Sequence, residues 1–272
     1  VADPESVGFS SERLMVVDSL ILAGIADSAF SGAAVAIGRH GRLVSLNAFG
    51  ELQYGTGRPV TPTSIFDLAS VSKVVGTTTA AMMLIGDGDL DLDVNVVEYL
   101  PWWASGDERK NTVTVRDLLT HRTGLIPFRT WYLEFAGMDA YKDAVANEPL
   151  QSEPGARTAY SDLGIMTLAW IIEAISGQPL DEFLESRLWN PMGMLETRYR
   201  PDPTLRPRIA ATEIDTVYRN EMVWGTVHDE NADAMGGVAG HAGLFSTVVD
   251  LSVFARMMLC LLYTSPSPRD AT

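Results

Sequence analysis

Residues 69–86, ASVSKVVGTTTAAMMLIG, constrain this chain more than any other stretch: every residue is small or apolar except Lys73, the one charged group. A helix is expected to begin near Ser70 and to set this lysine into an apolar face. The chain has three lysines, and Lys110 and Lys142 stand among polar neighbours, which leaves Lys73 as the one expected to be buried. Ser70 precedes it by three positions. On a helix that spacing brings the two side chains onto one face, with Cβ atoms about 5–6 Å apart. A lysine stripped of water loses its proton more easily and can then accept one from a serine hydroxyl. A serine at a helix start also has free backbone N–H groups and the positive end of the helix dipole beside it, both suited to a developing oxyanion. Ser72 is no substitute, because adjacent helix residues point apart.

The 272 residues, 46% of them hydrophobic, suffice for one large domain or two small ones. A formal net charge of -15 argues against nucleic acid or an anionic membrane as the main partner and leaves small molecules. The single cysteine, Cys260, excludes an internal disulfide framework and any multi-cysteine metal site. No apolar run is expected to span a bilayer. The chain starts at Val1 without a signal-peptide core, as a processed or cut start would.

Along the chain, 33–39 and 42–50 are β-rich runs joined by His40-Gly41, which reads as a hairpin opening the domain. A helix is expected from near Ser70, and the pattern to about residue 205 is mostly helical. TVTVRDLLTH, EFAGMDAYKDAVAN, SDLGIMTLAWIIEAISG and LDEFLESRLW all repeat apolar residues at three and four. A last helix, LSVFARMML, follows Ser246, Thr247 and Asp250, which offer capping groups.

The segments PTSIFDLASVSKVVG, TVTVRDLLTHRTGL, EPGARTAYSDLGIMTLAWIIEAISGQPL, NPMGMLETRY and AGLFSTVVDLSVFARMML occur in that order. Together they resemble the serine β-lactamase and penicillin-binding protein superfamily, in its class C-like branch with esterases and D-amino-acid peptidases. The resemblance covers 1–259 and implies an α/β (α+β) fold: an antiparallel sheet flanked by helices, with an all-α subdomain over roughly 77–205. It implies Ser70 as the acylated nucleophile, Lys73 as its proton partner and Tyr160 as the relay to the leaving group. The implied reaction is hydrolysis of an ester, peptide or lactam through an acyl-enzyme, with no cofactor and no metal. A periplasmic or secreted location is implied by the resemblance alone. Oligomeric state is open. The alternatives are a binding module that keeps the cleft but turns nothing over, and an inactive fragment of an enzyme.

Asp162 departs from the pattern of the resemblance, which has asparagine there; an ionised carboxylate only accepts hydrogen bonds where an amide also donates. That weakens the expectation of efficient β-lactam hydrolysis. If close to Lys73, Asp162 would also keep it protonated. A plainer role is N-cap of the following helix. His241-Ala242-Gly243 is a candidate for the third motif of these proteins, but a capped helix rather than a strand is expected after it. The third motif and the closing C-terminal strands are therefore expected to be missing, as from a truncated chain. VHDENADAMGGVAGH, 227–241, resembles a loop near the active site of envelope-associated relatives. It makes His228 and His241, with Asp162, candidate substrate-binding residues. His121 and Gly124 read as a helix end and its terminator.

Asp87, Asp89, Asp91 and Glu98 fall at four ligand positions of a calcium loop, yet Leu92 occupies the place where that loop needs glycine. Calcium is therefore not expected. No Gly-x-Ser-x-Gly elbow and no phosphate loop occurs. The end, 260–272, has no periodicity and resembles translated sequencing-adapter DNA, a non-native tail.

Overall fold

The computed structural model describes residues 1–259, so the foreign-looking tail with Cys260 lies outside the described residues. The hairpin does not open the fold. A 16-residue helix, α1 (Ser11–Ala26), precedes it, capped by Ser10 accepting from the Arg13 N–H. Strands β1 (Gly32–Arg39) and β2 (Arg42–Gly50) then pair antiparallel. His40 and Gly41 both have positive φ, 52° and 72°, the geometry of a two-residue turn whose twist matches that of the strands.

Strand β3 (Ile65–Asp67) leads into a continuous helical stretch, Ala69–Asp87. It begins as a 3₁₀ turn, widens to a π-turn over Lys73–Thr78 and ends as α2 (Thr79–Asp87), closed by Gly88 with φ 87°. At 19 residues and mean hydropathy 1.2 it meets the length and composition of a membrane span, against the expectation of none; half of it is buried in this fold.

Short helices α3 (Val96–Tyr99) and α4 (Val115–Leu119) follow, the second held by a reciprocal capping box between Thr114 and Asp117. After α5 (Met138–Asn147) comes α6 (Asp162–Ser176), with Leu163–Ile172 buried without a break. This is the central helix of the helical layer. Trp103, fully buried, donates its indole N–H to Thr167 on α6 at 2.9 Å. Helices α7 (Leu180–Leu184) and α8 (Asn190–Met192) flank a π-turn.

Strand β4 (Arg198–Tyr199), the small hairpin β5 (Ile214–Asp215) and β6 (Glu221–Met222), and α9 (Glu230–Ala234) lead to β7 (Leu244–Thr247). All four residues of β7 are buried, and it is the middle strand of an antiparallel β3-β7-β4 sheet. A strand thus follows His241-Ala242-Gly243 where only a helix was expected. Four residues are too few to show a period of two before the helical repeat of α10 (Val248–Leu259) takes over. Thr247 caps α10 by accepting from the Asp250 N–H at 3.2 Å.

Lys110 overturns a second expectation. It is fully buried, donates to the carbonyls of Val145 and Ala146 at 2.6 and 2.8 Å, and lies 5.0 Å from the Trp103 ring centroid. Its polar sequence neighbours Asp107 and Arg109 pair with each other, at 2.6 Å, and leave the lysine to close the end of α5.

Candidate active site

Ser70 lies in the first turn of the helical stretch and is exposed, while Ser72 and Lys73, which follow that turn, are buried. The residue before it, Ala69, has φ 44°, a left-handed conformation costing about 1–2 kcal/mol for a residue with a Cβ. Asp67 holds that turn: one carboxylate oxygen accepts the Ala69 N–H at 2.7 Å and the other accepts the His228 N–H at 2.7 Å. Burial pushes the Asp67 carboxyl above its usual range, against the pull of these two N–H groups. Ser72 accepts the Leu244 N–H at 3.1 Å, which fastens the helix start to β7 and turns this second serine away from Ser70.

Lys73 donates to Ser70 Oγ and to the His241 carbonyl, both at 2.9 Å. Its Nζ is also 2.8 Å from Asp162 Oδ1, an ion pair without hydrogen-bond alignment at that oxygen. Two acceptors and a carboxylate around one nitrogen suit an ammonium, which has three protons to offer. Asp162 therefore does lie close to Lys73, the condition on which its charge was expected to act. The N-cap role for Asp162 is not: Asp162 is the first residue inside α6, its N–H goes to the Pro127 carbonyl, and Ser161 occupies the cap position.

Tyr160 is half exposed, with its ring centroid 5.0 Å from Lys73 Nζ. Among the described residues its hydroxyl makes no hydrogen bond to Ser70 or Lys73. His121 stacks on it at 4.6 Å between centroids and accepts the Ser161 N–H at Nδ1, 3.1 Å. Burial first, and then the nearby Lys73 charge, push the His121 pKa down. The helix-end reading of His121 holds, since its φ of 56° follows the last turn of α4, but it also braces Tyr160.

The two remaining candidates sit differently from expectation. His241 is 1% exposed, and its Nε2 donates to Asp229 Oδ1 at 2.9 Å, so its ring lies behind Lys73 and cannot line a substrate. His228 is on the surface, paired through Nε2 with Glu213 at 2.8 Å, and reaches Ser70 only through its N–H on Asp67. Loop 227–241 is thus a bracket. Asn231 accepts from the Tyr141 hydroxyl at 2.7 Å and donates to the Arg129 carbonyl at 2.8 Å, tying the bracket to the helical layer. Sequence reasoning missed Asp67 and Asn231 because their partners His228 and Tyr141 lie far along the chain, and Asp229 because its contact with His241 depends on the conformation of the loop that holds both.

Asp87 pairs with Arg187 at 2.7 Å. Among the described residues no group of three or more His, Cys, Asp or Glu side chains is placed to hold a metal ion.

An exposed serine hydrogen-bonded to a buried lysine at a helix start, between a small antiparallel sheet and a helical layer, defines the class shared by β-lactamases and penicillin-binding proteins. The Beta-lactamase family matches residues 17–269, and the chain belongs to it. Similar proteins include the "Putative D-alanyl-D-alanine carboxypeptidase" of Escherichia coli K12, 32% identical over an alignment of 290 positions that covers 95% of this chain and 66% of that one. The protein of the same name from Salmonella typhimurium LT2 is 31% identical over an alignment of 318 positions that covers all of this chain and 73% of that one. This chain therefore spans just under two thirds of the Escherichia coli relative. Among solved structures, the octameric penicillin-binding protein homologue from Pyrococcus abyssi superposes with a TM-score of 0.75 at 23% identity, over 93% of this chain and 58% of that one.

Proposed function

We propose that this chain carries the nucleophilic half of a serine hydrolase that works through an acyl-enzyme on a D-amino-acid peptide or small ester. The observation that supports it most is the 2.9 Å hydrogen bond between Lys73 Nζ and an exposed Ser70 Oγ. In this reading Lys73 takes the Ser70 proton, Oγ attacks the carbonyl, and the Ser70 N–H stabilises the oxyanion. Tyr160, held over Lys73, passes the proton to the leaving group, and water then releases the acyl group. The names of the curated relatives favour a peptide ending in D-alanine as substrate, and the acceptor-only Asp162 disfavours efficient turnover of a β-lactam, though not acylation by one. The test is release of D-alanine from an N-acyl-D-alanyl-D-alanine and of nitrophenol from a nitrophenyl ester. Both should occur and both should vanish in Ser70→Ala; turnover that survives that substitution rejects the reading.

A second reading, a cleft that acylates or binds without turnover, draws on the Asp162 ion pair, which favours the protonated lysine over the free base. Stable acylation by a fluorescent penicillin with no ester turnover would favour it.

A further inference from the structure

Lys73 must be held at one place and in one charge balance, and Asp162 and Ser70 supply only two of its three contacts. The third is the carbonyl of His241, 2.9 Å away. A backbone carbonyl is only as fixed as its peptide. The peptides here are fixed on three sides: the Gly240 carbonyl accepts the Thr77 hydroxyl at 2.7 Å, Gly240 packs on α6 so closely that a Cβ would lie 2.5 Å from the Ile165 carbonyl oxygen, and the His241 ring is held by Asp229 at 2.9 Å. Asp229 is itself locked as the N-cap of α9, accepting the Ala232 N–H at 2.8 Å. The carboxylate can only accept, so the His241 proton shared with it is on Nε2, while Nδ1 is buried without a partner. Among the described residues the ring makes no other hydrogen bond.

We infer that Asp229 is a positioning residue for Lys73: it fixes the His241 ring, the ring fixes the His241 carbonyl, and that carbonyl, with the charge of Asp229 behind it, holds the lysine amine against Ser70. The inference rests on Lys73 being the proton partner of Ser70 and adds a residue to that reading.

The groups facing Lys73 are Asp162 from α6, the Tyr160 ring with His121 behind it, the His241 carbonyl, and Asp229 beyond the imidazole. Asp67, under the Ser70 turn, lies near enough for Asp229 to add to the upward push that burial gives it. Burial works to raise the Asp229 pKa, but His241, the Ala232 N–H and the Lys73 charge outweigh it and bring it down to about 2, so Asp229 is an anion at any working pH. Coupling of charges is mutual: an anion that Lys73 stabilises also favours the ammonium form of Lys73. Removing it lets the amine lose its proton at lower pH.

The test uses protein carrying ¹³C at the lysine ε-carbon, in which three lysines give three signals and Lys142→Arg and Lys110→Met assign Lys73 by elimination. Asp229→Asn and Asp229→Ser both leave a residue able to cap α9, so the fold has two chances to survive. The expected result is a Lys73 titration midpoint lower than wild type by about half a pH unit or more. Labelling of Ser70 by a fluorophosphonate should show the same shift in its pH profile. Unmoved midpoints in a folded variant overturn the inference, since a residue that only stabilises α9 would lower the amount of folded protein and leave the titration alone. The two readings separate cleanly. A shifted Lys73 titration in a protein that the fluorophosphonate never labels supports the Asp229–Lys73 coupling and rejects Ser70 as nucleophile, while normal labelling with an unshifted titration rejects the coupling alone.

Discussion

The Lys73 ammonium and the Asp162 carboxylate meet at 2.8 Å beside the Ser70 hydroxyl, so the group assigned to take a proton is paired with the group that most favours its keeping one. The lysine side chain is 6% exposed and the aspartate 19%, which leaves little water to screen the pair.

Asp162→Asn follows directly. The amide keeps a polar contact and removes the charge, so Lys73 yields its proton at lower pH. The rising limb of the pH profile for Ser70 acylation should move down by about one unit, close to a tenfold gain on the acid side. Acylation rates with a fluorescent penicillin between pH 5 and 9 measure it. An unchanged limb would mean that the ion pair does not govern the nucleophile.

Lys110 makes a prediction about stability instead of activity. Burial lowers its pKa from the ordinary 10.5 to about 8, with Asp107 and Glu148 pulling the other way. Its two hydrogen bonds are all that a neutral amine can donate. The folded state favours the uncharged form, so the penalty is fully present below pH 8 and fades as pH rises toward 10.5, where the unfolded chain also releases its proton. Wild type should therefore gain stability from pH 8 to 10 relative to Lys110→Met, measured by urea unfolding at both values. Parallel curves would contradict the assignment.

How much of this could be read from the chain depends on how far apart the partners are. The hairpin was legible because His40-Gly41 suits a turn with positive φ at both positions, and α6 because its apolar repeat runs unbroken to Gly177. The Ser70–Lys73 contact follows from helical spacing. Lys110 was misread because the carbonyls it serves belong to α5, and polar neighbours say nothing about them. The Asp229–His241 pair needs a loop conformation that no periodicity encodes, and β7 is too short to announce itself.

Gly240 is where the bracket touches the helical layer. An added Cβ would meet the Ile165 carbonyl oxygen at 2.5 Å and Ala169 Cβ at 2.6 Å, both on the central helix and neither free to yield. Gly240→Ala should cost about 1–3 kcal/mol in chemical denaturation and slow Ser70 acylation, because the strain moves the next carbonyl, that of His241, away from Lys73. A variant as stable and as reactive as wild type would show that loop 227–241 gives way without consequence.

The central claim is that Ser70 forms the acyl-enzyme with Lys73 as its proton partner. Intact-protein mass spectrometry after exposure to a fluorescent penicillin, with peptide mapping, tests it most directly. One acyl adduct on Ser70 in wild type, none in Ser70→Ala, and an adduct forming at least about a hundredfold more slowly in Lys73→Ala is the predicted result. An adduct on any other residue, or full-speed acylation without Lys73, would contradict it.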